Sequence, residues 1–302
     1  MPPLRWRPLI LFQRYKTMII PTDQLNTPEL SLYGTRSEGL LKHFYEPQPG
    51  LFIAETTNVI LAALHAGYEP VSLAIDERLL QPEKSSELSE NTLRQVKEIL
   101  SLMKDLPIHA LTASALRQIA GVGQTRGILC ALRRRQLPSL ESILLCAERI
   151  AVLEDVENPT NVGAIFRAAA GIGFDAVVLT FGSSDPLYRR AARVSMGSVF
   201  QIPWTSLPGA KGETDKTLMK ALKEYGFTTV AMALTDGALP LDDAVLPRSG
   251  KLAVFFGNEE NGLLPTTIEA CDFAARIPML HGVDSLNVAA ASAIAFWELR
   301  KR

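Results

Sequence analysis

The stretch "VFFGNEENGLL", Val254 to Leu264, joins a short apolar run to a polar turn. The run from Leu252 to Phe256 has the length and composition of a buried β-strand. The turn that follows contains two adjacent carboxylates, Glu259 and Glu260, between Asn and Gly residues. Turns favour Gly and Asn because these residues tolerate positive φ angles, but a turn has no need for glutamate. A surface hairpin and a strand end that binds a ligand are the two interpretations of this turn.

Outward from this stretch, the second half of the chain alternates strictly between strand-like and helix-like segments. The strand-like segments are near-continuous apolar runs, and this pattern predicts an α/β fold with a parallel sheet covered on both faces. Ligands of such sheets bind at the carboxyl ends of the strands, which is where Glu259 lies. The predicted strands are 149–156, 176–180, 227–235, 251–257 and 275–279, and the predicted helices are 159–170, 185–196, 218–226, 265–271 and 286–302.

The first half of the chain predicts a smaller α/β domain over residues 30–115. Its helix-like segments include 89–106, with Ser89 or Asn91 as the cap, and its strand-like segments include 50–55 and 107–112. Residues 116–147 are expected to be a linker, and residues 148–302 the second domain.

The expected linker contains two features with alternative interpretations. Gly121, Gly123 and Gly127 superficially suggest a phosphate-binding loop, but no strand precedes them and no GK[ST] follows, which favours a flexible connector. The run Arg133 to Arg135 is expected to be solvated, with contact to RNA as the alternative.

Composition limits the classes of protein that fit. The 302 residues are 47% hydrophobic and 21% charged with a formal net charge of −1, so a polyanion would have to bind at local basic patches. Apolar runs are shorter than the roughly 20 residues that span a membrane, so we expect no membrane association. Three scattered cysteines without a CxxC motif indicate a reducing compartment, and we expect a cytoplasmic protein with no metal site.

The amino-terminal residues 1–29 are expected to be a disordered tail. The first eighteen residues are basic and apolar, so a transit peptide or short signal is an alternative, and Met18 is a candidate for the true start.

A second loop with features that packing does not explain begins at Asn158, which is expected to cap a helix with Pro159 in its first turn. Val162, Ile165, Phe166 and Ala169 form its apolar stripe. The opposite face carries small residues around Arg167, where an ordinary solvent face would carry Lys and Glu. Small residues permit close approach of a ligand or backbone, so Arg167 is a candidate functional residue.

A third such loop precedes the last helix. Asp284 or Ser285 is expected to cap this helix, which places Asn287 in its first turn, where asparagine has poor propensity. His281 is expected to be an ordinary loop residue. No strand in this half is followed by GxGxxG, which disfavours a Rossmann dinucleotide site and the commonest methyltransferase fold.

Together the three loops resemble, in order, the three motifs of the SpoU/TrmH family of RNA ribose 2′-O-methyltransferases. The motifs are "NPTNVGAIFRAA" (158–169), "FFGNEENGL" (255–263) and "IPMLHGVDSLNVAAA" (277–291), and residues 183–203 resemble the family between the first two. The likeness covers residues 148–302, and residues 50–76 more loosely resemble the family's ribosomal-protein-like substrate-binding domain.

The resemblance implies a deep trefoil knot, a homodimer, S-adenosylmethionine as cofactor and RNA as substrate. It implies that catalysis involves Asn161, Arg167, Glu259, Ser285 and Asn287, that Leu234, Gly257, Ile277 and Leu286 contact the cofactor, and that Arg189, Arg190 and Arg193 bind RNA. A solvated helix face is the alternative for those last three arginines. The sequence departs slightly from the family's common pattern at Glu260-Asn261 and at Ala290.

The resemblance favours ribosomal RNA over transfer RNA, because the chain has an N-terminal recognition domain and no long C-terminal extension. A non-catalytic RNA-binding or assembly factor and a small-molecule nucleotide enzyme are the alternatives from other classes. Deletion of residues 1–115 is expected to leave cofactor binding intact and to abolish methylation.

Overall fold

The chain forms two compact units, Met1–Arg135 and Gln136–Arg302. A computed structural model describes residues 18–21, 27–34, 38–42, 50–81, 89–120, 127–209, 213–246 and 250–301. We call the two parts the N-terminal unit and the C-terminal unit and describe each by itself.

The N-terminal unit is built on a mixed five-stranded sheet. Its strands are β1 (Met18–Pro21), β2 (Leu51–Glu55), β3 (Pro70–Asp76), β4 (Pro107–Leu111) and β5 (Ile128–Arg133), in the order β1-β4-β3-β5-β2. β1, β4 and β3 pair in parallel, and β5 is antiparallel to both β3 and β2. The helices are α1 (Pro28–Ser31), α2 (Glu38–Lys42), α3 (Thr57–His65), α4 (Glu77–Leu80), α5 (Glu90–Leu102) and α6 (Ala113–Ala120).

The structure corrects both expected borders of this unit. Met18–Pro21 is an edge strand rather than part of a disordered tail, while residues 1–17 lie outside the described residues. Ile128–Arg133 lies between β3 and β2 rather than in a linker, because five of its six residues are apolar enough to be buried in the sheet. Gly121 and Gly123 also lie outside the described residues.

The arginine run at the end of β5 stabilises the unit and is not merely solvated. Arg134 Nε donates to the Leu51 carbonyl at 3.1 Å. Arg135 donates to the carbonyls of Ala66 and Gly67 at 2.7 and 2.6 Å, which satisfies the carboxyl end of α3. Its guanidinium also lies 5.0 Å from the centre of the Tyr68 ring.

The C-terminal unit contains a seven-stranded sheet in which every pairing is parallel, as predicted. Its strands are β6 (Arg149–Leu153), β7 (Ala176–Leu179), β8 (Trp204–Ser206), β9 (Phe227–Met232), β10 (Leu239–Pro240), β11 (Lys251–Phe256) and β12 (Phe273–Arg276), in the order β10-β12-β9-β11-β6-β7-β8. Its helices are α7 (Leu140–Cys146), α8 (Pro159–Ile172), α9 (Arg189–Val194), α10 (Glu213–Glu224), α11 (Pro265–Ala270) and α12 (Val288–Leu299).

Helices cover both faces of this sheet because alternate residues of each buried strand point to opposite sides. Ile150 and Val152 of β6 belong to a core that also contains residues of α7 and α10. On the other face, Phe256 of β11 contacts Phe296 of α12 with ring centres 5.4 Å apart. The continuous apolar strands are therefore explained by burial on two sides.

The first-motif helix α8 agrees with its predicted pattern. The Asn158 side chain caps it by accepting from the Thr160 amide at 2.9 Å. The predicted apolar stripe is fully buried, and the helix ends at Gly173, whose φ of 95° is accessible to glycine at low cost.

Other predicted boundaries in this unit were wrong. β8 and β10 were not predicted, since each has only two or three residues. β12 begins at Phe273 instead of residue 275, and α9 covers only part of 185–196. The cap of α12 is Asn287 rather than Asp284 or Ser285, and its side chain accepts from the Ala289 amide at 2.9 Å. Capping thus accounts for an asparagine that would be unfavourable inside the helix.

Candidate active site

The site forms where the two central strands of the C-terminal sheet end. Leu153, the last residue of β6, pairs with Phe256, the last residue of β11. Parallel strands place their carboxyl ends at one edge, so the loops of the first and second motifs emerge side by side. The cleft outside such an edge is where ligands of parallel α/β sheets bind.

A chain of hydrogen bonds links all three motifs. Asn161 donates its Nδ2 to Glu259 Oε1 at 2.8 Å, and Asn287 donates its Nδ2 to Asn161 Oδ1 at 3.1 Å. Asn161 is 6% exposed, whereas Glu259 and Asn287 are exposed. We call these three residues the Asn161 triad. Asn161 uses both ends of its amide, so its orientation is fixed by the second and third motifs together.

The carboxylate of Glu259 also binds the backbone before α8. It accepts from the amides of Glu157 at 3.4 Å and Asn158 at 3.2 Å. With the Asn161 amide, three N–H donors converge on one carboxylate. Glu259 thereby holds the loop of the first motif in place, a role that suits an orienting residue better than a proton acceptor.

Backbone packing explains the glycines of the second motif. A Cβ on Gly257 would lie 2.2 Å from the Gly262 carbonyl carbon, and Gly262 has a φ of 67°. Asn258 fixes the turn from inside by accepting from the amides of Glu260 and Asn261, and it donates to the Asp155 carbonyl at 2.9 Å. The turn is therefore bound to the neighbouring loop as well as to itself, which an isolated surface hairpin would not be.

Arg167 and Ser285, two further predicted catalytic residues, lie outside the Asn161 triad. Both side chains are exposed, and Arg167 lies on α8 one turn beyond Gly163 and Ala164. Within the described part of the chain, neither side chain hydrogen-bonds to a member of the triad. Their predicted roles stay predictions.

The predicted cofactor contacts all follow strands of the same edge or precede α12. Gly257 directly follows β11, Ile277 directly follows β12, and Leu234 comes two residues after β9. Leu234 and Leu286 are 59% and 37% exposed. Exposed apolar side chains are compatible with the apolar ring of a ligand, and the four cofactor contacts stay predictions.

The predicted RNA-binding arginines lie on α9, which packs closely against α8. A Cβ on Gly163 of α8 would lie 2.4 Å from the Ala191 carbonyl of α9, so only glycine permits this approach. Arg190 is exposed, and Arg189 and Arg193 are half-buried. Gly163 therefore allows α8, which carries Arg167, to pack against α9, which carries the other three arginines.

Sequence reasoning missed a group of residues that joins the loops beneath the site. Glu154 is 2% exposed and accepts from the second-motif segment, while Ser183 binds the first-motif loop from another direction. A carboxylate immediately after four apolar strand residues, 150–153, is the signal that could have identified Glu154, since a buried polar group needs partners.

Within the ranges that the structure describes, no group of three or more His, Cys, Asp or Glu side chains could hold a metal ion. Over the same ranges, no helix is long and apolar enough to cross a bilayer. The cysteines are unpaired thiols, and burial raises the pKa of Cys271 to about 12.

Comparison with known proteins agrees with this geometry. The model of the SpoU rRNA methylase family matches residues 148–297. An uncharacterised tRNA/rRNA methyltransferase of Mycobacterium bovis is 36% identical over 249 residues, which are 82% of this chain and 80% of that protein. The 23S rRNA (guanosine-2′-O-)-methyltransferase RlmB of Acinetobacter baylyi is 28% identical over 234 residues, 74% of this chain and 92% of its own.

The fold also has solved counterparts. The crystal structure of an AdoMet-bound rRNA methyltransferase from Sinorhizobium meliloti superposes with a TM-score of 0.73 at 23% identity, and the match covers 93% of this chain and 97% of that one.

A parallel α/β unit whose strand-end loops carry these three motifs defines an RNA-modifying enzyme. The chain belongs to the SpoU methylase family and is an RNA methyltransferase.

Proposed function

We propose that the C-terminal unit transfers a methyl group from S-adenosylmethionine to a ribose 2′-hydroxyl of ribosomal RNA. The observation that carries the proposal is the Asn161 triad, which joins the three family motifs at the carboxyl edge of the sheet. The names of the RlmB relative and of the Sinorhizobium meliloti structure support the substrate and the cofactor.

When bound, S-adenosylmethionine supplies a methyl group on a sulfonium, which is a good leaving group. The ribose oxygen would gain the methyl carbon, the carbon–sulfur bond would break, and the hydroxyl proton would leave to water. Holding the two reactants in line is worth about 7–11 kcal/mol of the barrier when the geometry is good. The residues that follow β9, β11 and β12 would provide this positioning through their backbone.

Arg167 is proposed to bind the phosphate next to the target ribose and to stabilise the developing alkoxide. A guanidinium offers five N–H donors in a fixed plane and has no acceptor, so it suits binding of oxyanions rather than general-base catalysis. Its exposure leaves it accessible to a nucleic-acid strand. Ser285 is proposed to orient the ribose, and the arginines of α9 to contact the RNA backbone near Arg167.

The N-terminal unit is proposed to select the RNA. The strand β5 lies between β3 and β2, so deletion of residues 1–115 would remove the first three residues of α6 and leave β5 without its sheet. A cut between Arg135 and Gln136 respects both units. The fragment 136–302 should bind S-adenosylmethionine and methylate RNA weakly or not at all, whereas full RNA activity would contradict this role.

We also propose a homodimer, a trefoil knot and a cytoplasmic location. The exposed side of α12 supports the dimer, because Ile294 and Trp297 are 42% and 59% exposed on one apolar face. The hydrogen bond from Asn287 to Asn161 shows that the chain after β12 passes back against α8. This passage supports the proposed knot. Trp297→Glu should shift the mass in light scattering from dimer to monomer. Leu145→Glu, at an equally exposed leucine of α7, should not.

The transfer reaction is tested with labelled S-adenosylmethionine and unmodified ribosomal or transfer RNA in separate reactions. Digestion to nucleosides should place the label on a ribose of ribosomal RNA. Label in transfer RNA would favour the alternative substrate, which the name of the Mycobacterium bovis relative includes. Label on a base would overturn the mechanism, and its absence from both RNAs would favour an assembly factor or a particle-bound substrate.

The role of Arg167 is tested in the same assay. Arg167→Ala should abolish transfer while calorimetry still detects S-adenosylmethionine binding. Lys220→Ala is the matched control, because it also removes one exposed positive charge, on α10, and should leave transfer unchanged. Turnover retained by Arg167→Ala would refute the assignment.

A further inference from the structure

Glu154 is a buried carboxylate at the base of the second-motif turn. It directly follows β6 and is 2% exposed. Burying such a group is unfavourable unless hydrogen bonds replace its water. Its partners therefore show what the fold uses it for.

Hydrogen bonds of Glu154 reach both ends of one segment. The Glu154 amide donates to the carbonyl of Phe256, the last residue of β11, at 2.8 Å. Its carboxylate accepts from the Leu264 amide at 2.6 Å and from the Thr267 hydroxyl at 2.6 Å. One residue thus binds the entry and the exit of residues 257–263 and the start of α11.

The bound segment carries the site. Glu259 lies at its tip and accepts from Asn161, and Gly257 lies at its start. Two glycines give this segment wide backbone freedom, so its position depends on bonds to neighbouring elements. Asn258 supplies one such bond near the tip, and Glu154 supplies those at the base.

We infer that Glu154, together with Thr267, is a positioning residue for methyl transfer. It fixes the distance between the ends of the second-motif turn, so that Glu259 meets Asn161 and the backbone at Gly257 faces the cofactor. Glu154 acts through this turn and does not touch the reacting atoms. The inference rests on the proposed transfer reaction for its kinetic consequence, but its structural part stands without it.

Substitutions of Glu154 and Thr267 distinguish loss of the hydrogen bonds from loss of the negative charge. In Glu154→Gln, the remaining oxygen accepts from the Leu264 amide, and the new NH2 group donates to the Thr267 hydroxyl, which reverses its role. In Glu154→Ala both bonds are lost. In Thr267→Val, which conserves shape, the carboxylate loses one donor while its bond to Leu264 remains.

Thr229→Val is the matched control. Thr229 lies in β9, and Asp272 directly precedes β12. The Thr229 hydroxyl donates to Asp272 Oδ2 at 2.7 Å and accepts from the Asp272 amide at 2.9 Å. The Thr229 side chain is as buried as that of Thr267 and lies in the same unit, but its partner Asp272 is exposed and the contact lies at the amino-terminal side of the sheet. Its loss should lower the melting temperature without disturbing the turn.

The experiment compares the full-length variants by kcat, KM for RNA, S-adenosylmethionine Kd and hydrogen exchange of the peptide 257–264. Glu154→Ala and Thr267→Val should lower kcat by about tenfold or more, as expected when a hydrogen bond to a charged group is lost, and should weaken cofactor binding with little change in KM for RNA. Glu154→Gln should stay within about threefold of the parent, because its bonds are retained. Exchange at 257–264 should accelerate in the first two variants only.

Several outcomes would overturn the inference. One is a folded Glu154→Ala or Thr267→Val protein with unchanged kcat, cofactor Kd and exchange. Another is a Thr229→Val protein whose kcat falls as far as theirs at equal stability. If the parent protein transfers no methyl group to any RNA, the proposed function fails, and exchange at 257–264 alone still decides the positioning role. If Glu154→Ala does not fold, Thr267→Val and Glu154→Gln decide it.

Discussion

Replacing Asn161 by alanine removes the centre of the triad while leaving the capped start of α8 intact. Glu259 loses its shortest hydrogen bond, at 2.8 Å, and keeps two longer ones to backbone amides at 3.2 and 3.4 Å. Asn287 loses the acceptor that its Nδ2 reaches but keeps its bond to the Ala289 amide. The perturbation is therefore confined to the links between motifs.

The magnitude follows from the character of the two lost bonds. A bond to a charged group contributes about 1.5–3 kcal/mol and a neutral one about 0.5–1.5 kcal/mol. Glu259 and Asn287 are exposed, so water replaces part of what is lost, and we expect a decrease of about 1–3 kcal/mol in the free energy of unfolding. For a unit of this size each kcal/mol lowers the melting temperature by roughly 2–4 °C. A displaced site residue should also reduce transfer by about 100-fold.

The assay is a double-mutant cycle followed by the fluorescence of Trp204, which is buried and contacts Phe166 of α8. Asn161→Ala combined with Glu259→Ala should show a coupling energy of about 0.5–3 kcal/mol. Asn161→Ala combined with the distant Lys220→Ala should be additive within about 0.5 kcal/mol. Additivity of the first pair, or full transfer activity in Asn161→Ala, would refute the reasoning that this amide couples the motifs.

The remaining predictions concern single residues away from that link. Burial lowers the pKa of His109 below 6.5, so the unfolded chain binds a proton more readily than the folded chain. The free energy of unfolding of the N-terminal unit should therefore be retained above pH 6.5 and fall below it, by at most about 1.4 kcal/mol per pH unit. If urea unfolding of His109→Asn shows the same pH dependence of that free energy as the parent, the prediction is contradicted. Arg135→Ala should lower the stability of the same unit by about 1–3 kcal/mol because the end of α3 loses two charged donors, and Arg135→Lys should recover only part of it; equal melting temperatures for all three proteins would refute the role. Gly163→Ala should destabilise the C-terminal unit by about 1–3 kcal/mol because its methyl group meets the Ala191 carbonyl, whereas Gly171→Ala, where a Cβ meets nothing within 4 Å, should be neutral or stabilising in the same thermal scan.

Much of the C-terminal unit was predictable because its signals are local. Continuous apolar strands alternating with helices predicted the parallel sheet, and the apolar stripe and cap of α8 were read directly from residues 158–169. Three motifs in order predicted the family, which the comparisons confirmed. Each of these features depends on residues a few positions apart. The types of those residues determine whether the backbone favours a helix or a strand and which face of that element is apolar.

Contacts between distant residues were not readable in this way. The sequence predicts a linker at β5 because flanking glycines and arginines outweigh a five-residue apolar run, and only the position of β5 between β3 and β2 explains that run. The sequence predicts Asn287 inside the first turn of the last helix, whereas in the structure Asn287 is the N-cap and accepts from the Ala289 amide. Short strands such as β8 and β10 carry too few residues to produce a periodic pattern.

The sequence by itself determined which residues this protein brings to its site, since the motifs contain Asn161, Glu259 and Asn287 as residue types that packing does not require. Only the tertiary structure decided that these three bond to one another, across separations of 98 and 126 residues, and that Glu154 holds the turn between them. Local residue preferences determine the helices and strands. Which strand ends lie side by side depends on the order of the strands in the sheet, and that order depends on burying both faces of the sheet at once.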